Sequence, residues 1–458
     1  MKISTLLLVF ASASLFVFSS CKKGELEGAT TGKASVTTTV KDTTATTTST
    51  VYKRTVNLGT GSGVLTIDGK TLAVQCNDLI KIKGGTYTGI NIKNILSADG
   101  CPITIKNDGL VEVVGDHNEM SLTDLKNVTI SGDGTASIAK GFVFRDNNYR
   151  GIEGWGALNN LTIQNISFKN VLDMCISYQY NNLYDGTAAN YVQNLKFLNI
   201  SCNATGQFLG TGGYIDNGNV YGLFKNVEIA NLDYQNSPTV GILCYMGNAE
   251  NFNIHNNRIN NINTLNNNHN GIFMISGNGS FHHNYVSNHQ GNAIRAWGHS
   301  VGTTPKNIYI YDNIVVNSRK YSGFEVQAFA NRMIAGKTTY TNAVVFNNTC
   351  GNLNLSADWI GAVVDVYSLQ GGKVDVYNNL AYNFKANANI SNEQQDLVPN
   401  TFNNLKYDTY AQAGIVNETT FKLTSTSPAK GAGVATPFII TDYYGSLRAA
   451  KPSIGAVE

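Results

Sequence analysis

Charge is scarce in this chain: only 14% of its 458 residues are Asp, Glu, Lys or Arg, and the formal net charge is +2. The basic surplus that a nucleic-acid binder carries is therefore missing. Beyond the first twenty residues no apolar run is long enough to span a membrane. Tandem cysteines at zinc-site spacing are absent as well. The 42% apolar share excludes global disorder. What is abundant is asparagine, with 59 residues, alongside 45 glycines. The Asn side chain competes with backbone hydrogen bonds, so this bias argues against a helix-rich fold and for many turns.

The amino terminus reads as an address. Lys2 is followed by an apolar stretch from Leu6 to Phe18 and by Ser19-Ser20 before Cys21. A basic start, a short apolar core and small residues before a cut make a secretory signal over residues 1–20. The Phe18-Ser19-Ser20-Cys21 ending resembles a bacterial lipobox, which implies that Cys21 becomes the lipidated terminus. From Gly24 to about Thr50 the chain is Thr-rich and has no aromatic residue, so residues 21–54 are expected to be a flexible stalk. Asp42-Thr43-Thr44 within it resembles the O-glycosylation triplet of Bacteroidetes. An exported protein, lipid-anchored to the outer membrane at its surface or periplasmic face, is the expectation. Cys76, Cys101, Cys175, Cys202, Cys244 and Cys350 remain. Their wide spacing is not that of a small stapled domain; most are expected to be buried, and Cys76 with Cys101 is the first pair to test.

Internal self-similarity organises the rest. Asn-x-x-x-Asn follows a short β-rich run at Asn257 to Asn261, Asn284 to Asn288, Asn313 to Asn317, Asn348 to Asn352 and Asn379 to Asn383. Between the two Asn stand Ile259, Val286, Val315, Cys350 and Ala381, each able to enter a core. A second run recurs at Gly241 to Tyr245, Gly271 to Ile275, Asn292 to Trp297 and Gly323 to Gln327. A unit of about thirty residues, with two or three strands and no convincing helix, cannot close a core alone. It must stack on its neighbours, with rungs about 4.8 Å apart and a ladder of amides at the repeated Asn.

This pattern resembles the right-handed parallel β-helix of pectate-lyase-like proteins. The expected organisation is an all-β single-stranded solenoid of about ten rungs over residues 55–400, with a capping segment at 401–458. Lys83-Gly84-Gly85-Thr86-Tyr87 is similar to the opening rungs of such proteins. Asp442-Tyr443-Tyr444-Gly445 and Pro452-Ser453-Ile454-Gly455 resemble the terminal segment of exported Bacteroidetes β-helix proteins. A β-propeller is the competing fold, but its units are longer and four-stranded, and its signatures are missing.

With Ile242, Ile272, Ile294 and Phe324 taken as inward, alternation makes Leu243, Phe273, Arg295 and Glu325 one outward column and Tyr245, Ile275, Trp297 and Gln327 the next. Arg295 and Glu325 should stand side by side on successive rungs. Aromatic platforms (Trp297, Tyr245) beside a cation and polar groups suit a sugar chain, and His299, Arg319, Lys320 and Tyr321 in adjoining corners extend the candidate site. For β-elimination on a uronate polysaccharide, Arg295 would neutralise the carboxylate, with Lys320, Arg319, Tyr321 or His299 as base; Arg295, Glu325 and Lys320 are the candidate catalytic set.

The resemblance to alginate and dermatan lyases implies two acidic calcium ligands and a downstream Lys, whereas Gly323 to Ala330 holds one acid and no Lys, so no ligand motif supports Ca2+. Hydrolysis by paired acids would need Glu325 and Asp365. His282-His283 has no acidic partner nearby in the sequence. The alternative from another class is a non-catalytic glycan-binding or adhesive protein; an Arg295–Glu325 ion pair on a solvated sheet, with Trp297 packed under a loop, would suit that as well.

Overall fold

A computed structural model describes residues 51–357, 361–385, 389–393, 398–436, 438 and 441–458. The expected leader 1–20, Cys21 and the stalk as far as residue 50 lie outside the described residues.

Each turn of the chain contributes three strand segments, which in the early turns run on as single long strands such as Asp78–Leu96 and Arg150–Val171. One turn runs through Phe324–Ala328, Asn342–Phe346 and Thr349–Gly351 before re-entering the first sheet at Ala362–Leu369. Every one of these strands pairs in parallel with the strands one turn before and after it. The molecule is therefore a parallel β-helix with three sheet faces, closed by stacking. A single register position of the first sheet passes through Thr66, Asn91, Ser121, Glu153, Ser177 and Gly210. It continues through Tyr245, Met274, Arg295, Glu325, Asp365 and Asn392. Those twelve positions make the stack slightly deeper than ten rungs.

The two Asn of the repeat do different work. The first is inward: Nδ2 of Asn257, Asn284, Asn313, Asn348 and Asn379 each donates to Oδ1 of the Asn one turn on, at 2.9–3.0 Å, ending at Asn404. The same Oδ1 atoms accept the backbone N–H of the Asn below, so the ladder also satisfies buried backbone at the corner. The second Asn turns the corner with positive φ: 58° at Asn261, 48° at Asn288, 59° at Asn317, 53° at Asn352 and 49° at Asn383. Asn tolerates this left-handed region better than other residues with a Cβ, and of the 34 described non-glycine residues with positive φ, 24 are Asn. Between the pair, Ile259, Val286, Val315, Cys350 and Ala381 are all fully buried.

Cys76 and Cys101 form a disulfide in the opening turns, and Cys175, Cys202, Cys244 and Cys350 are buried thiols. Regular α-helix among the described residues is confined to Gly69–Leu72, and no helix there is long and apolar enough to cross a membrane. After the last strand, Leu405–Tyr407, the chain turns back along the outside of the third sheet. Ile415, Phe421, Ile454 and Val457 cover Ile314, Val316, Leu380 and Tyr382 there. The terminal segment thus lies along a side of the stack.

Candidate functional site

Arg295 and Glu325 are register partners on adjacent turns of the first sheet, with Nε and Oε1 2.8 Å apart. Asp365 continues the column one turn further, beside inward Ala362 and Val364. Towards the amino terminus the expected columns are shifted by one residue. Arg295 pairs with Met274 and Met274 with Tyr245, so Tyr245 belongs to Arg295's column and Ser276 is the neighbour of Trp297. Leu243 and Phe273, expected outward, are fully buried. The cause lies at the corners, where the residue entering each strand also packs inward. Ile272–Phe273, Ala293–Ile294 and Val363–Val364 are consecutive buried pairs, so alternation starts one residue later than the apolar run suggests, and a slip of one changes the face.

Glu325 is fully buried. Burial opposes its ionisation, but the bond to His269 and the Arg295 guanidinium outweigh that penalty and hold the carboxyl below the usual carboxylate range. His269 Nε2 lies 3.2 Å from Oε2. This contact is close but off-axis, leaving Oε2 without a well-directed hydrogen bond, and the approach of Arg295 Nε to Oε1 is off-axis as well. Gln327, 5% exposed, donates from Nε2 to Oε1 and steadies the carboxylate from beneath.

His269 is the residue sequence reasoning missed. It stands at the loop entering the strand Gly271–His282, and its side chain is 31% exposed. Nε2 also meets Oδ1 of Asn292 at 3.2 Å, and the Asn292 amide is oriented by its Nδ2 contact with the Ser322 carbonyl at 3.4 Å. Two oxygen acceptors at Nε2 keep the proton on that nitrogen, so a base role would fall to Nδ1. Tyr321 stacks on the imidazole at 3.9 Å between centroids. It does so with φ at 78°, an unfavourable backbone conformation for an aromatic residue, held at the edge of this site.

Several expected ligand contacts are therefore supports. Tyr321 is 4% exposed and serves as the platform under His269. Arg319 donates to the Asn266 carbonyl at 2.6 Å and to Asn267 Oδ1 at 3.1 Å, bracing the loop that carries His269. Lys320 holds its ammonium 5.6 Å from the Tyr321 ring centroid. His299 is 2% exposed, behind Ser276. Burial and the positive charge of Arg332 push its pKa down to about 3, so it is a neutral, enclosed imidazole with neither the access nor the basicity expected of a site residue.

Trp297 does not lie open. Residues 329–337 form an arm that returns through Thr338–Tyr340, antiparallel to His299–Val301. The Arg332 guanidinium stands 4.7 Å above the indole, Phe329 meets the indole edge-on at 5.8 Å, and Arg332 Nη1 donates to Ser276 Oγ at 2.7 Å. Arg332 was invisible to the repeat because the arm is an insertion; the one signal was the 35-residue step from Asn313 to Asn348, longer than the 27 before Asn284 and 29 after it.

Ligand atoms of His269, Glu325 and Asp365 lie within 4.8 Å of one another. Calcium takes six to eight oxygen ligands. An imidazole nitrogen, two carboxylates and a guanidinium 2.8 Å from one of them do not fit that ion. Arg295 supplies the positive charge at this position instead.

No protein-family model and no curated protein matches the chain. Among solved structures it is similar to pectate lyase Pel9A, at 15% identity over 90% of this chain and 97% of that one, with a TM-score of 0.45. Alginate lyase from Paenibacillus sp. str. FPU-7 is similar at 12% identity over 78% and 98% of the two chains, with a TM-score of 0.38. A PL6 family polysaccharide lyase from Pseudopedobacter saltans is similar at 14% identity over 86% and 99%, with a TM-score of 0.38.

Proposed function

We propose that the first sheet binds a uronate-containing polysaccharide and cleaves it by β-elimination. The observation that carries this reading is the cluster of a part-exposed imidazole, a guanidinium and a buried ionised carboxylate on neighbouring turns. Arg295, with 13% of its side chain exposed, offers a cation to the uronate carboxylate and so lowers the cost of carbanion character at C5. His269 takes the C5 proton through Nδ1, with Glu325 and Asn292 fixing its tautomer and stabilising the imidazolium. The C4–O4 bond breaks, a C4–C5 double bond forms, and the imidazolium returns the proton to O4. Tyr245, half-buried in the same column, gives the floor an aromatic surface for a sugar ring.

The reading includes an exported, lipid-anchored protein; it is supported by the order of Lys2, the apolar stretch and Ser19-Ser20-Cys21. The test is to incubate the protein with alginate, pectate, ulvan and glycosaminoglycans and follow the ultraviolet absorbance of unsaturated products. Product from at least one uronate polymer is expected. Binding to a glycan array without product from any uronate polymer would replace the lyase by a non-catalytic glycan-binding protein.

A further inference from the structure

Arg332 is a part-buried cation with no acidic partner among the described residues. Arg54, Arg145, Arg150, Arg295 and Arg448 all meet carboxylates. The one side-chain hydrogen bond of Arg332 goes to a serine hydroxyl, its guanidinium lies over the faces of Trp297 and Phe329, and Tyr245 and His299 stand near enough to feel its charge. A guanidinium removed from water without a counter-charge is unfavourable unless something anionic completes its surroundings. An unmet donor stands beside it, because Nε1 of Trp297 is buried without a hydrogen-bond partner among the described residues.

The arm holds this cation in place. The Arg332 carbonyl accepts from Thr338 Oγ1 at 2.6 Å, the same hydroxyl accepts from the Ile334 amide at 2.9 Å, and the Ala330 amide donates to Gln370 Oε1 at 2.6 Å. At the arm's far end Lys337 donates to Asn219 Oδ1 at 2.8 Å, and Ile334 packs on Gly218 so closely that a Cβ there would stand 2.4 Å from Cγ1. A brace of that extent sets a charge rigidly, and rigidity lowers the ordering cost of recognition.

We infer that Arg332, with Trp297 Nε1, forms a second anion-binding position on the first sheet, taking a carboxylate or sulfate from the sugar next to the one held at Arg295. The inference rests on the glycan-binding part of the proposed function but not on turnover. Trp297 follows Arg295 by two residues on one strand, about 7 Å along it, and Ser276 lies one turn below Trp297. The two guanidiniums therefore address separate anionic groups. The substrate class narrows to glycans that carry an anion on neighbouring sugars, and neutral chains gain nothing from this position.

The experiment compares the full-length protein with Arg332→Gln and Arg332→Lys, reading equilibrium binding to three probes: an unsulfated polyuronate, a sulfated uronate glycan and a neutral β-glucan. Thermal melting confirms that each variant is folded. Arg332→Gln should weaken binding to an anionic polymer by roughly tenfold or more, which corresponds to one charge-assisted contact. It should also flatten the salt dependence and leave the neutral probe unchanged, and Arg332→Lys should recover part of the loss. A loss on the sulfated polymer alone identifies sulfate; a loss on both identifies carboxylate. Wild-type affinity of folded Arg332→Gln for both anionic polymers, or equal losses on all three probes, overturns the inference and leaves Arg332 as a brace for the arm. Arg332-dependent binding without unsaturated product would instead sink the lyase reading and keep this site.

Discussion

His269 and Glu325 meet at 3.2 Å between Nε2 and Oε2, although one stands at a loop and the other on a strand two turns further along the stack. The part-exposed ring is the group able to reach a substrate proton, while the buried carboxylate sets its tautomer. His269→Ala should therefore lower turnover by roughly 10²–10⁴-fold, the range of a positioned general base. Binding of uncleaved polymer should change little, whereas the melting temperature should fall modestly, because buried Glu325 loses one of the contacts that offset its burial. Initial rates and equilibrium binding measured on the same preparation check this; loss of binding equal to the loss of turnover would make His269 a ligand contact.

Glu325 should report itself through stability as well as activity. Its carboxyl is held below the ordinary value of 4.5 in the fold. A lowered folded pKa means that the charged form stabilises the protein above the unfolded value, and that this contribution is lost as pH falls through the folded one. Wild type should lose stability on acidification below about 4.5, and Glu325→Gln should lack that part of the slope. Near neutrality Glu325→Gln leaves Arg295 without its counter-ion and should be less stable by about 3–5 kcal/mol, the usual cost of breaking a buried pair. Urea midpoints at several pH values decide it; parallel acid profiles for the two proteins would contradict the ionised assignment.

The parts of this fold that were legible in the sequence are those in which geometry demands the same residue on every turn. The Asn257 to Asn379 ladder needs identical amides in register, and the adjacent corner needs a residue content with positive φ, so both left a periodic trace. Arg295 beside Glu325 followed from the same spacing. The face of Leu243 and Phe273 did not, because two successive buried residues at a corner make the phase of a five-residue apolar run ambiguous. His269 and Arg332 lie on loops, where neighbours are set by how the chain returns and not by any period.

The Asn ladder makes a prediction that separates its two columns. Asn313→Ala removes the Nδ2 bonds to Asn348 Oδ1 and the Phe281 carbonyl, and strips Asn284 of the oxygen that accepts its Nδ2 and its backbone N–H. Several buried groups left unmet at about 1–3 kcal/mol each make this one of the costliest single polar deletions in the stack. Asn317, at φ 59°, accepts from Asn352 Nδ2 at 2.8 Å on the outer side. Asn317→Ala should cost about 1–2 kcal/mol, mostly from placing a Cβ without local bonding in the left-handed region, and Asn317→Gly less. Asn313→Gly should be no milder than Asn313→Ala. Denaturant midpoints for the four variants provide the comparison, and equal effects at both positions would mean that corner conformation alone explains the Asn excess.

Arg448 is the fastening of the terminal segment. It is 3% exposed on its side chain and pairs with Asp312, which is fully buried, and with Glu458. It also donates to the carbonyls of Gly455 and Ala456 at 3.0 and 3.2 Å. Burial raises the Asp312 pKa to about 7 against the pull of Arg448, so this carboxyl is part-protonated near neutrality and becomes fully charged only above it, where its partner holds the charge. Arg448→Met keeps the volume and removes the charge. Asp312 should then take up a proton, so the stability lost relative to wild type should grow as pH rises past about 7 and shrink on the acid side. Well above pH 7, where Asp312 is fully charged in the wild type, the loss should approach about 3–5 kcal/mol. Hydrogen exchange should localise it to residues 409–458 and to the third-sheet strands around Ile314 and Leu380 that the segment covers. The first sheet, on another face of the stack, should keep its protection and its binding. Uniform loss of protection across all three sheets would show that the terminal segment is integral to the stack.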